Sequence, residues 1–148
     1  MAAAVVVPLE PAAARALWSD VGRWPSFVEG LARVAQVSPG WPEPGAKVVW
    51  ESGPGGRGRV TEKVLEAAED RFATELFEER LLGTQRAEFR REQAGGTRLE
   101  LELSYRLARG GALEAITDTL FVRRALRDSL ERTLRRFAVE AEDEAGLR

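Results

Sequence analysis

Histidine and cysteine are both missing from this 148-residue sequence, and together the two absences remove a large share of enzyme chemistry. Without cysteine there can be no disulfide and no thiolate nucleophile. Without histidine the commonest general base, the usual partner of a catalytic serine and the usual zinc ligand all disappear. Any proton transfer must fall to Asp, Glu, Arg, Lys, Tyr, Ser or Thr. Asparagine is absent too, methionine occurs only at position 1, and lysine is reduced to Lys47 and Lys63 against 20 arginines. Such a composition fits a heat-adapted protein, and a GC-rich coding sequence equally well.

Long hydrophobic runs are also missing. The stretch Ala2–Val7 is short and has no basic flank, so it reads as neither a signal segment nor a membrane span. A cytoplasmic chain without integral membrane association is expected. The net charge of −2 offers no general attraction to nucleic acid. No metal and no organic cofactor is implied by any motif. What remains is a globular balance, 44% hydrophobic and 31% charged, at a length suited to one domain covering residues 1–148.

Local patterns give an α+β order. The valines at positions 5, 6 and 7 predict a first strand over residues 3–9, and Pro11 opens a helix over 12–20. Gly22 ends it, and Trp24-Pro25-Ser26-Phe27 begins a second short helix that Gly30 closes. Strands are expected at 31–37, 48–50, 59–66 and 72–79, with the proline- and glycine-rich stretches 39–45 and 53–56 as loops and a break near Gly83. Residues 86–91 and 98–107 form the clearest hairpin. There Leu99, Leu101, Leu103, Tyr105 and Leu107 share one face, while Glu100, Glu102, Ser104 and Arg106 share the other. That alternation requires a strand with one buried and one wet face.

After Gly110-Gly111 the apolar period becomes helical, through Ile116, Leu120, Leu126, Leu130, Leu134 and Phe137, over residues 113–144. Such a helix is about 45 Å long at about 1.5 Å per residue. Its basic residues Arg124, Arg132, Arg135 and Arg136 interleave with Asp128 and Glu131, as on a solvated, paired face.

Three passages carry a family resemblance. Trp18-Ser19-Asp20-Val21-Gly22-Arg23-Trp24-Pro25-Ser26-Phe27 is similar to an Asp-x-x-x-Trp/Tyr-Pro-x-Phe entry following a first helix. Pro44-Gly45 precedes the third strand, and Gly110-Gly111 steps into a long arginine-rich helix. In this order they resemble the helix-grip (SRPBCC) superfamily of Bet v 1, START lipid-transfer and polyketide cyclase/dehydrase proteins, the bacterial polyketide cyclase/dehydrase-like group being nearest. The resemblance implies a curved antiparallel sheet of about seven strands wrapped on the long helix around a cavity, with two short helices after the first strand. Fold alone does not name the activity.

Candidate wall residues follow from the expected faces: Phe89, Leu101, Leu103 and Tyr105 from the sheet, Leu120 from the helix, and Trp24, Phe27 and Trp50 at the mouth. Tyr105 carries a hydroxyl that wants a partner when buried. Arg123 falls near the middle of the helical apolar stripe, where a guanidinium facing the cavity would need an anionic partner. Among the strand carboxylates, Glu62, Glu66, Glu75, Glu78 and Glu79, two facing the cavity could do acid/base work, but neither strand alternates cleanly enough to assign their facing. No residue is singled out as catalytic. The expected function is binding or transport of a small hydrophobic molecule, such as a lipid, isoprenoid, quinone or polyketide. A cyclase or dehydrase using the same pocket is the second reading, and a protein-interaction module with a filled pocket is the third. Pairing into a homodimer stays open.

Overall fold

The computed structural model describes residues 1–107 and 112–147, with residues 112–119 described by their backbone alone. Ten elements follow one another: β1 (Ala2–Val7), α1 (Pro11–Ser19), α2 (Trp24–Phe27), β2 (Leu31–Val37), β3 (Lys47–Ser52), β4 (Arg59–Ala67), β5 (Arg71–Glu78), β6 (Leu81–Arg91), β7 (Thr97–Leu107) and α3 (Ala112–Glu144). The strands form one antiparallel sheet in the order β1-β7-β6-β5-β4-β3-β2. β2 to β7 are sequential neighbours, and β1 returns to lie beside β7 at the far edge. The seven-stranded sheet, two short helices and long terminal helix are the helix-grip arrangement.

β7 has the alternation its sequence announces. Leu99, Leu101 and Leu103 are buried on the inner face, and Tyr105 and Leu107 continue that face half-buried. β1 pairs with β7 from Ala2 opposite Glu102 to Val7 opposite Thr97. Val7 marks the end of that strand, two residues earlier than the valine run suggested, because Pro8 has no N–H to continue the ladder. Gly96, in the β6–β7 turn, sits at φ +81°, and a Cβ there would lie 2.5 Å from the Val7 carbonyl oxygen. Only glycine suits that crossing of backbones.

Gly83 is not a break. It lies inside β6, opposite Tyr105, and the strand runs unbroken from Leu81. A Cβ at Gly83 would stand 2.9 Å from the Ser104 carbonyl oxygen. The glycine thus permits a close approach within the sheet.

One side of α3 packs on the sheet and the short helices through Leu126, Leu130, Leu134, Phe137 and Ala141, all buried. Phe137 meets Trp18 and Phe27 edge-on at 5.2 and 5.1 Å, and Trp18 stacks on Phe27 at 5.6 Å. The indole N–H of Trp24 donates to the Trp18 carbonyl at 2.8 Å, and that of Trp41 donates to the Ser19 carbonyl at 2.8 Å. These bonds satisfy the polar edges of large rings inside an apolar cluster.

Ion pairs then tie the short-helix region to α3. Arg23 contacts Glu140 at 2.9 Å and Glu144 at 3.0 Å, and Glu29 meets Arg136 at 3.2 Å and Arg132 at 3.6 Å. The Glu29 amide also donates to Thr133 Oγ1 at 3.0 Å. Arg132 and Arg136 therefore serve a cross-helix contact.

Leu120 and Arg123 are where the structure departs from the helical stripe. Both are exposed, Leu120 by 66%. Their angular position is right, but α3 spans 33 residues, about 50 Å by helix rise. They precede Leu126, the first fully buried residue of the helix among those described, and flank Val122, which packs only partly against the core. The periodicity gives the facing of a residue but not how far along the helix the covering layer extends. Gly110-Gly111 lies outside the described residues, as do the side chains of Leu113 and Ile116.

Candidate functional site

A cavity of about 40 Å³ lies between the inner face of the sheet and the two helices α2 and α3. Its walls are mainly apolar: Trp18, Trp24, Phe27, Phe72, Leu76, Leu103, Leu126 and Leu130. Glu29, Ser129 and Thr133 are on the helix side, and Glu62, Thr74 and Gln85 gather on the sheet side. Sheet register explains how they meet. Thr74 on β5 lies opposite Gln85 on β6, which lies opposite Leu103 on β7. On the next strands, Glu62 of β4 stands opposite Leu76 of β5 and Val48 of β3. Trp50 and Thr74 are therefore diagonal neighbours of Glu62, close enough for long side chains to touch.

Glu62 is the centre of this group, 5% exposed. Its Oε2 accepts the indole N–H of Trp50 at 2.8 Å, and its Oε1 accepts the Thr74 hydroxyl at 3.0 Å. Two opposed effects act on its proton. Burial disfavours the carboxylate and is the largest influence, while the Trp50 and Thr74 donors and the nearby Arg57 charge favour it. Burial wins, and Glu62 holds its proton above the ordinary carboxyl range.

Arg57 enters the cavity wall from the β3–β4 loop. Ser52 anchors that loop: its amide donates to the Gly58 carbonyl at 2.8 Å, and its hydroxyl accepts the Gly58 amide at 2.8 Å. Arg57 Nε donates to Glu78 at 2.6 Å, and its guanidinium carbon lies 5.5 Å from the Trp50 ring centroid. Its Nη2 is enclosed and meets no acceptor among the described residues. Glu29, Ser129 and Thr133 complete the polar part of the lining.

Of the wall residues expected from sequence, Trp24, Phe27, Trp50 and Leu103 border the cavity. The aromatic three are not at a mouth: their exposures are 3%, 0% and 1%, and they form the wall itself. Phe89 and Leu101 are buried in the core beyond the cavity, and Tyr105 is half-buried against that core. Leu120 and Arg123 are on the exposed part of α3, away from the lining.

Glu62, Thr74, Gln85 and Arg57 are among the polar lining residues that sequence reasoning did not place. Glu62 had a signal, since Val60, Glu62 and Val64 alternate inward on β4. A register shift between Val64 and Glu66 hides it by breaking the alternation one step later. Arg57 had none, because a loop residue carries no periodicity. Among the described residues no group of acidic side chains could hold a metal ion.

A curved sheet closed by a long helix over a small, mainly apolar cavity, with polar groups set into its walls, defines a helix-grip ligand-cavity protein. The sequence profile described as polyketide cyclase / dehydrase and lipid transport matches residues 1–142, and the chain belongs to that family. Among solved structures, the Zhui aromatase/cyclase from Streptomyces sp. R1128 superposes with a TM-score of 0.82 at 13% identity, over 98% of this chain and 94% of that one. A START superfamily protein from Mycobacterium smegmatis gives 0.76 at 15% identity, over 97% of each chain. The di-domain aromatase/cyclase StfQ of the steffimycin biosynthetic pathway gives 0.78 at 16% identity over 99% of this chain, which spans about half, 51%, of StfQ. At such identities the likeness speaks for the fold. Among curated protein sequences none matches this chain. No described helix is long and apolar enough to cross a membrane.

Proposed function

We propose that the chain is a binding protein for a small, largely apolar molecule, held as one helix-grip domain with its polar end against β3, β4 and β5. The observation that carries this reading is the Glu62–Trp50–Thr74 group with Arg57, set into the wall of a mainly apolar cavity. A pocket that merely completes a core has no need of a carboxyl group, because burying one without a role is unfavourable. The third reading from sequence, a filled interaction module, is weaker on that ground.

The present cavity holds about 40 Å³, room for a few waters or one polar head, against the roughly 300 Å³ or more of a drug-sized pocket. Ligand uptake therefore parts the helices from the sheet. The Arg23 and Glu29 pairs join the short-helix region to α3, so these elements move together while the sheet keeps the polar group in register.

A second reading has its own support. Glu62 borders the cavity and keeps its proton above the usual range, as a general acid in a cyclase or dehydrase would need. Native mass spectrometry of freshly purified protein, with a solvent extract of the same sample, tests the binding reading. A discrete additional mass released by denaturation supports it. A bare chain mass that stays bare after incubation with a lipid and quinone panel removes it.

A further inference from the structure

We infer that the cavity selects neutral molecules whose polar end is a hydrogen-bond acceptor, a ketone or similar carbonyl oxygen, and discriminates against carboxylates and amines. The inference rests on the binding reading above and adds the chemistry of the ligand's polar end. Three ionisable residues border the cavity: Glu29, Arg57 and Glu62. Glu29 is engaged by Arg132 and Arg136 from α3. Arg57 is neutralised by Glu78, with 2.6 Å between Nε and the carboxylate. Glu62 contributes no charge when protonated and one negative charge when ionised. Counted over these three residues the wall is neutral with Glu62 protonated and carries one negative charge with it ionised, and the surplus cation of the Arg132–Arg136 pair on Glu29 is about half exposed, where solvent screens it.

The one enclosed side-chain nitrogen without an acceptor among the described residues is Arg57 Nη2. It can only donate, since a guanidinium has no acceptor. A ligand amine would bring a second cation and further donors to the same point. Both oxygens of Glu62 already meet donors, Trp50 and Thr74. A carbonyl oxygen supplies what Nη2 lacks without adding charge, and the apolar wall takes the rest of the molecule. Stacking near the Trp50 ring limits where the guanidinium can turn. The donor is thus held in place beside the cavity, which raises its discriminating power.

Binding of octan-2-one, octanoate, octylamine and octane, four molecules of equal chain length, tests this through tryptophan fluorescence at near-neutral pH. The ketone is expected to bind at least about tenfold more tightly than the alkane and than either ion. Arg57→Leu should bring the ketone down to the level of the alkane. Glu78→Gln, which frees the Arg57 charge, should improve octanoate binding by about tenfold and leave octane unchanged. Equal binding of ketone and alkane, or preference for octanoate in the unaltered protein, overturns the inference while the binding reading survives. Failure of all four to bind overturns both.

Discussion

Glu62→Gln isolates the balance of forces on one buried proton. The side chains have the same shape. Gln can accept the Trp50 N–H through its oxygen and donate to the Thr74 hydroxyl through its nitrogen, so both contacts at 2.8 and 3.0 Å have a replacement. What the variant lacks is the titration. In the unfolded chain Glu62 loses its proton at the ordinary value of 4.5, and in the fold it keeps it to higher pH. Between those two values the folded protein binds one more proton than the unfolded one, so stability falls as pH rises. The contribution is fully present below the unfolded value and is lost as pH climbs through the folded one. The slope within that window is about 1.4 kcal/mol per pH unit.

Urea unfolding of wild type and variant across a pH series from 4.5 upward measures it. All other titrations are common to both proteins and cancel in the difference. The stability of wild type relative to the variant should decline by about 1.4 kcal/mol per unit and then level off. A flat difference would mean that Glu62 titrates as it does in water. A difference that grows with pH would mean that Trp50, Thr74 and Arg57 outweigh burial, and would refute the reasoning.

Trp50→Phe keeps most of the ring but removes the donor to Glu62 Oε2, so denaturation should show a loss of about 1–2 kcal/mol. Gly96→Ala forces a side chain onto a backbone at φ +81° with the Val7 carbonyl oxygen 2.5 Å from the new carbon. A loss exceeding about 1 kcal/mol is expected in urea, and an unchanged midpoint would contradict the close crossing. Phe137→Ala should cost about 3–5 kcal/mol by thermal or chemical unfolding, because its ring is fully buried between Trp18 and Phe27. Phe121→Ala, at a residue 74% exposed on the same helix, should stay within about 0.5 kcal/mol.

β7 and α3 show what a sequence can disclose and where it stops. Alternation from Leu99 to Leu107 reports burial directly because one strand face meets the core and the other meets water. The stripe of α3 continues as far as Val122, which is half-buried against the core, yet Leu120 and Arg123 on either side are exposed, because facing says nothing about how wide the covering layer is where it thins out. The polar group was harder still. Glu62 becomes a site only through its diagonal neighbours on β3 and β5, a matter of register between strands. The shift after Val64 blurs the one local clue. Arg57 sits in a glycine-rich loop whose sequence predicts a turn and no direction for its arginine. Gly83 misled in the opposite sense, since a glycine that relieves crowding beside Ser104 reads like a strand end.

The row that runs from Trp50 through Glu62, Thr74 and Gln85 to Leu103 draws one residue from each of five consecutive strands. Leu126 and Leu130 close it from the last helix. The lining runs from Trp18 to Thr133, so no short fragment of the chain contains the cavity and an incompletely formed sheet has little to offer a ligand. Binding to such a site draws the whole folding equilibrium toward completion, by an amount set by ligand concentration over its dissociation constant. A ligand added during refolding would act as a template selecting chains in which all five strands have found their register.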